Sequence, residues 1–361
     1  MNLSSTTPFW MERLGLIMEA DPAIPEEREG VLNPAAVRGP DGDLYLFPRI
    51  VGPGNYSRVG RARVRFDDTA NPVGVERLGY ALEPQEPYER RDETGGCEDP
   101  RVTYVEPLGL YVMAYVAWSP TGPRIALAVS DDLRAWRRLG LVAFAPDPDP
   151  VYRVDFDQYH NKDGALFPRA VIGPDGRPSL AILHRPVYDT GEDTPQGVPD
   201  PRPSIWISYC ALDDARRDVR ALTTLRGHHL LIDPEYPWEE LRIGGGTPPL
   251  LTPLGWLVLY HGVTGHIARV AKEQQRVEYR AGALVLDADD PRRVLYRSPT
   301  PVLEPETGEE TAGVVPNVVF PTGVDDRGDG RVDVYYGMAD IRIGAARLRV
   351  PAELPAGSRT T

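Results

Sequence analysis

Five times along the chain a proline introduces a short apolar run, a turn rich in Gly, Pro or Asp, and a stronger apolar run that ends in polar residues. The segments are NPAAVRGPDGDLYLFPRI from Asn33, DPRVTYVEPLGLYVMAYVAW from Asp99, FPRAVIGPDGRPSLAILHRP from Phe167, PPLLTPLGWLVLYHGV from Pro248 and PNVVFPTGVDDRGDGRVDVYYGMAD from Pro316. Their prolines (Pro34, Pro100, Pro168, Pro248, Pro316) follow one another at intervals of 66 to 80 residues. Short apolar runs bounded by turn residues are the signature of β-hairpins. Further strand signals, Arg124–Trp136 and Ser204–Asp214, lie between the hairpins. About four strands per period, five periods long, predict an all-β chain folded as a single five-bladed β-propeller. Its repeats start near residues 33, 99, 167, 248 and 316, with extensions at 1–30 and 351–361. The alternative is a pair of β-sandwiches with coincidental spacing. Helical periodicity is confined to MERLGLIME near the N-terminus, enough for a turn or two of helix.

The 38 prolines and 35 glycines fall between well-patterned runs, so they mark turns rather than disorder. A formal net charge of −13 argues against a nucleic-acid or anionic-membrane partner. Any anion this chain binds must be held by a local basic cluster. Two cysteines make no disulfide framework, and no apolar run approaches a membrane span, which together point to a soluble cytoplasmic protein. Loop-mediated assembly into a homo-oligomer is compatible with the sequence. Of the 40 basic residues only Lys162 and Lys272 are lysines.

In GGCEDPRV the pair Glu98-Asp99 stands at the mouth of a buried strand. A carboxylate there costs several kcal/mol unless it is paired, protonated or used. Successive strand residues face opposite ways, so one of the two is expected to be functional and the other to hold a backbone or Arg partner. Asp99 can equally be a turn-former before Pro100. Polar residues recur at the far ends of the second strands (Arg49, His184-Arg185, His261, Asp340), which gathers them around one axial pocket. Tyr104, Tyr115, Trp118 and Trp256 read mainly as core. The Gly244–Gly246 run lacks the strand and helix of a dinucleotide loop, and Asp325–Arg331 reads as a solvated hairpin turn. The six histidines have no metal-ligand spacing, so no metal and no cofactor are expected.

As a set, GGCEDPRV, NKDGALFPRAV with LHRP, LRIGGGTPPLLTPLGWLVLYHGV and VYYGMAD resemble glycoside hydrolase family 130, the β-mannoside phosphorylases and related β-mannosidases. The resemblance runs from about Asn33 to Val350. It implies a five-bladed propeller with an axial site and phosphorolysis of a β-mannoside, with inversion, to α-mannose 1-phosphate. Phosphate is then a co-substrate, and a short β-mannoside oligosaccharide the partner. By its motif Asp99 matches the catalytic acid, which needs a pKa raised by burial to donate near neutral pH. Arg185, Arg242 and His261 match phosphate contacts, with Asn161 and Tyr279 as further candidates. Asn33, Arg49 and Asp340 match mannose-binding positions. Two departures stand out: Arg242 where the family usually has Lys, and His160 where phosphorylases often have Arg. The resemblance also admits an inverting β-mannosidase with Glu98, Glu239 or Glu278 as base, or an inactive sugar-binding propeller. Ala145–Tyr159 and Tyr188–Arg202 are expected to rim the pocket and select the acceptor.

Overall fold

The computed structural model describes residues 7–90, 94–147, 152–188, 197–266 and 276–355. Among the described residues the chain is all-β, with five antiparallel meanders of four main strands each in sequence order, and the short strands Ala143–Phe144, Val171–Ile172 and Leu250–Thr252 pair at their margins. The first comprises Gly30–Arg38, Leu44–Gly52, Tyr56–Phe66 and Pro72–Leu82; the second Gly95–Val105, Leu110–Ser119, Gly122–Ser130 and Arg137–Leu141. A parallel step, Tyr56 to Gly95 and Ser57 to Gly96, joins these two into one sheet. The third is His160–Leu166, Pro178–Val187, Ile205–Ala211 and Thr224–Ile232, and the fourth Arg242–Gly245, Gly255–His266, Arg276–Leu286 and Val294–Arg297. The fifth takes Val319–Gly328, Arg331–Met338 and Arg342–Arg349 from the end of the chain and Trp10–Met18 from its start.

The N-terminal expectation is therefore corrected. MERLGLIME is an edge strand and not a helix, because its backbone pairs with Arg342–Arg349 and its Met11, Ile17 and Met18 are buried. The first strands also lie differently from the hairpins read in the sequence. In the third meander the first strand ends at Leu166, before Pro168; in the fourth it ends at Gly245, before Pro248. The first strand of the first meander packs against those of the second and fifth, and that of the second against the third.

Apolar faces of neighbouring meanders enclose separate cores. Phe144, Phe156, Leu180 and Trp206 pack between the second and third, Phe167, Trp238 and Trp256 between the third and fourth. No helix among the described residues is long and apolar enough to cross a membrane.

A glutamate latch recurs at the entrance to four meanders. Glu89 accepts the Tyr115 hydroxyl, Arg138 Nε at 2.7 Å and the backbone N–H of Gln85 and Glu86. Glu239 does the same with Tyr260, Arg297, Glu235 and Tyr236, and Glu310 with Tyr336, Arg13, Glu306 and Thr307. Glu27 keeps its Arg77 and a backbone N–H, while the second strand offers Pro48 in place of tyrosine. Each carboxylate is buried yet fully bonded, which is what makes its burial tolerable.

Candidate active site

The first strands of three meanders break step at the same place. Pairing slips between Leu32 and Ala35, between Glu98 and Arg101, and between Lys162 and Ala165. The residue inside each slip, Asn33, Asp99 or Asp163, has a left-handed backbone with φ of 44°, 44° and 59°. Asn and Asp enter that region more readily than other side chains, so a polar residue there makes the bulge. A bulge re-aims a side chain, and all three line one cavity of about 620 Å³. The residue paired just before each slip lies on the neighbouring strand. Leu32 pairs with Arg49 and Lys162 with Arg185; in the fourth meander Gly244 pairs with His261. Arg49, Arg185 and His261 thus come from one equivalent position and reach the same cavity.

At one end of the cavity stand three acids and two cations. Arg49 donates from Nη2 to Glu98 Oε1 at 2.7 Å and from Nη1 to Asp99 Oδ1 at 3.4 Å. Asn33 Nδ2 donates to the same Asp99 oxygen at 2.8 Å. Asp99 faces the cavity, while Glu98 is fully buried behind it beside Ser57. The expectation that the two carboxylates do not both point into the pocket holds, with the bulge at Asp99 re-aiming its side chain. The expected rise in the Asp99 pKa does not. Burial pushes it up, but Arg49, Lys162, Arg101 and the Asn33 bond together bring it below its ordinary range. Burial does raise Glu98, against the pull of Arg49 and Lys162. Asp340 is pushed up to about 6 by burial, and Asp99 and Glu98 add to the push while Arg49 opposes it.

At the other end Asp163 Oδ2 accepts from Arg185 Nε at 2.5 Å and lies 3.9 Å from His261 Nε2. Arg101 stands beneath, 3.7 Å from Asp163 Oδ1, and donates to the carbonyls of Asp99, Gly245 and Gly246. Arg242 Nη2 bonds the Tyr279 hydroxyl at 2.5 Å, and the Tyr279 ring stacks on His261 with centroids 5.6 Å apart. Burial drives the His261 pKa down to about 3, with Asp163 opposing, so the imidazole is neutral at pH 7. Burial pushes Asp163 up, but Arg185, His261 and Arg101 hold it well below the carboxylate range. His261 Nδ1 and Arg242 Nε are buried and have no hydrogen-bond partner among the described residues.

Of the nine residues expected at the site, eight line the cavity: Asn33, Arg49, Asp99, Arg185, Arg242, His261, Tyr279 and Asp340. Asn161 does not. It is fully buried with its amide on His184, because it follows His160 on a strand whose alternate residues face the cavity. Glu239 and Glu278 are elsewhere, in the latch described above and in an ion pair with Arg280. Asp163 and Lys162 were missed as site residues. The NKDG stretch carried the signal, since Asp before Gly repeats the Asn33-Pro34 and Asp99-Pro100 arrangement. Lys162 lines the cavity with Nζ 4.5 Å from the Trp118 ring centroid, and burial lowers its pKa. Lys272 lies outside the described residues, as do 148–151 and 189–196 of the two stretches expected to rim the pocket. His160 and Val187, which flank those stretches, line the cavity.

Gly244 explains the glycine run. A Cβ there would lie 2.3 Å from Asp163 Oδ2, 2.5 Å from His261 Cε1 and 2.6 Å from Arg185 Nε. Only a bare backbone lets those three side chains converge.

Residues 5–352 match the model of a family, glycoside hydrolase family 130, described as beta-1,4-mannooligosaccharide phosphorylase. The chain is 32% identical over 328 residues to a 1,2-beta-oligomannan phosphorylase of a Thermoanaerobacter species, spanning 90% of this chain and 91% of the relative. It is 34% identical over 354 residues to a 4-O-beta-D-mannosyl-D-glucose phosphorylase of Bacteroides fragilis, spanning 94% of this chain and 75% of the relative. Its fold matches that of the beta-1,2-mannobiose phosphorylase of Listeria innocua, with a TM-score of 0.69 at 22% identity over 95% of this chain and 97% of that one. On the strength of the family match and these relatives, the chain belongs to glycoside hydrolase family 130.

Proposed function

We propose that the five meanders are the blades of a five-bladed β-propeller, that the cavity is its axial channel, and that the protein is an inverting β-mannoside phosphorylase. The propeller reading is supported by five equivalent meanders whose first strands contact one another in the order fifth, first, second, third, fourth, and by an N-terminal strand that completes the last sheet. The activity reading is supported by relatives named as phosphorylases of β-1,2- and β-1,4-mannosides. Two free, buried cysteines fit a cytoplasmic location.

One observation carries the chemistry: the cavity that holds Asp99 also holds Arg185, Arg242, His261 and Tyr279. An inverting hydrolase needs a second carboxylate to activate water, whereas phosphate is already a nucleophile. None of Glu98, Glu239 and Glu278 lines the cavity, so the hydrolase reading lacks its candidate base. Arg185 and Arg242 offer charge-assisted donors to phosphate oxygens, and neutral His261 and Tyr279 add uncharged ones. Asn33, Arg49 and Asp340 bind the mannose hydroxyls.

In the reaction a phosphate oxygen attacks the anomeric carbon on the face away from the β-linked oxygen. The bond to that oxygen breaks, and it leaves with a proton that originates on Asp99 and passes through a sugar hydroxyl. The product is α-mannose 1-phosphate and a shortened sugar. Arg49, Lys162 and Arg101 favour the ionised form of Asp99; anionic phosphate offsets these cations, and Asp99 takes up the proton it donates. No cofactor is needed. Incubation with β-1,2- and β-1,4-mannobiose, with and without phosphate, followed by phosphorus and proton NMR, tests the reading. Phosphate-dependent α-mannose 1-phosphate is expected; free mannose at an equal rate without phosphate would overturn it.

A further inference from the structure

The third meander supplies Lys162, Asp163 and Arg185 to the cavity, yet among the described residues it has no glutamate latch. Register identifies what stands in its place. Tyr115 and Tyr260 immediately precede Val116 and His261, and His184 precedes Arg185 in the equivalent position. Tyr115 and Tyr260 donate to a buried carboxylate. His184 instead begins a chain of uncharged groups: Asn161 Nδ2 to His184 Nδ1 at 3.1 Å, His184 Nε2 to Ser208 Oγ at 2.9 Å, Ser208 Oγ to His228 Nδ1 at 2.8 Å, and His228 Nε2 to the Ala145 carbonyl at 3.0 Å.

The Ala145 carbonyl only accepts, so His228 carries its proton on Nε2 and its Nδ1 accepts. Ser208 therefore donates to His228 and accepts from His184 Nε2–H. His184 Nδ1 is then a bare acceptor, and Asn161 must present its NH2. One carbonyl fixes two tautomers and one amide orientation, and every donor points away from the cavity.

We infer that His184, Ser208 and His228 are positioning residues, a one-way hydrogen-bond chain that holds Asn161 and backs Arg185, and that a proton arriving on His228 reverses it. The reversed state has one added proton, with the charge on His228. The His184 Nε2 proton passes to Ser208 Oγ, the Ser208 proton passes to His228 Nδ1, and the added proton is gained at His184 Nδ1. His228 Nδ1–H then donates to Ser208, Ser208 donates to His184 Nε2, and His184 is its Nδ1–H tautomer. That proton requires Asn161 Oδ1, which lies 3.3 Å from His184 Nδ1, so a small amide rotation completes the exchange. Asn161 sits between His160 and Lys162, both of which line the cavity, so the turn is felt where substrate binds.

The groups facing His228 set when this happens. Asp147 accepts the backbone N–H of Gly227 and His228; Asp157 lies on the short helix before the third meander. Arg226 is on its own strand, His184 is two hydrogen bonds away, and Phe144 and Phe156 cover the ring. Burial lowers the His228 pKa, with the Ala145 bond, Asp147 and Asp157 pulling back, which puts reversal on the acid side of neutrality.

Long-range proton–nitrogen NMR on histidine-labelled protein tests the chain in the resting molecule, with a His228→Gln sample for assignment. His184 and His228 are both expected as Nε2–H near neutral pH, with His184 changing to Nδ1–H as His228 becomes cationic. A neutral-pH Nδ1–H tautomer at either residue would overturn the chain. A kinetic arm rests on the phosphorolysis reading, whereas the NMR arm does not, so the two failures are distinguishable. Ser208→Ala is expected to raise the phosphate KM about fivefold, the worth of one buried hydrogen bond, with the mannoside KM unchanged. His228→Gln keeps a donor for Ala145 and an acceptor for Ser208 without titrating. It is expected to retain the neutral-pH rate and to move the acid limb of the phosphate kcat/KM to lower pH; an unmoved limb would overturn the switch.

Discussion

Glu98 and Asp99 are neighbours in sequence and hold the same guanidinium from two sides, Glu98 at Arg49 Nη2 (2.7 Å) and Asp99 at Nη1 (3.4 Å). The bulge at Asp99 makes this possible, since an unbroken strand would send the two carboxylates to opposite faces. Arg49 therefore couples a fully buried carboxylate to the one that faces the cavity.

On the proposed mechanism, replacing Asp99 with Asn removes the proton donor and leaves the cationic end of the cavity in place. We expect kcat to fall by about 10²–10⁴, the usual worth of a general acid, while phosphate still binds by calorimetry. A near-normal kcat would take the acid role away from Asp99.

Arg49, Lys162 and Arg101 hold the Asp99 pKa down, and the proposed mechanism needs Asp99 protonated, so on that mechanism phosphate binding should draw in protons near neutral pH. Calorimetry in buffers of different ionisation enthalpy measures this directly. Uptake is expected in the wild type and a smaller uptake in Asp99→Asn; equal values would separate Asp99 from phosphate binding.

Gly244→Ala places a methyl group where Asp163, Arg185 and His261 meet. The clamp must open to admit it, so the phosphate KM should rise by more than tenfold, at a stability cost of about 1–3 kcal/mol for overpacking. Unchanged phosphate kinetics would show that the three need not converge.

Asp340 gives a pH signature. Its folded pKa of about 6 exceeds the unfolded value of roughly 3.9, so the native state binds the extra proton and stability falls as pH rises from about 4 to 6. Asp340→Asn should remove this loss. Its melting temperature, relative to wild type, should be higher at pH 7 than at pH 4, although activity is reduced. An identical pH dependence would mean that burial and the neighbouring acids do not raise the Asp340 pKa.

Much of this was legible in the sequence, and the exceptions have physical causes. The hairpin period gave the all-β class, and motif order gave eight cavity residues, because side chains at bulges and strand ends repeat from one meander to the next. Asn161 was misread since a motif names a position and not the direction a strand side chain takes. Asp163 was missed, and the Gly244–Gly246 run was read only as not being a dinucleotide loop, because their importance lies in convergence: a carboxylate from one sheet needs a bare backbone from another. The N-terminal strand was hidden because its partner, Arg342–Arg349, lies at the far end of the chain. The Asp99 pKa went the wrong way for a similar reason. Burial was foreseen, but the approach of Arg49 and Lys162, from two other meanders, was not.

The central claim is that phosphate, and not water, takes the mannosyl group. The most direct measurement runs the reaction backwards: α-mannose 1-phosphate is supplied with mannose, glucose or N-acetylglucosamine, and released phosphate and new disaccharide are followed. Phosphate release that requires an acceptor and yields a β-mannoside is the predicted result. No release with any acceptor, together with β-mannobiose cleavage that ignores phosphate, would contradict it.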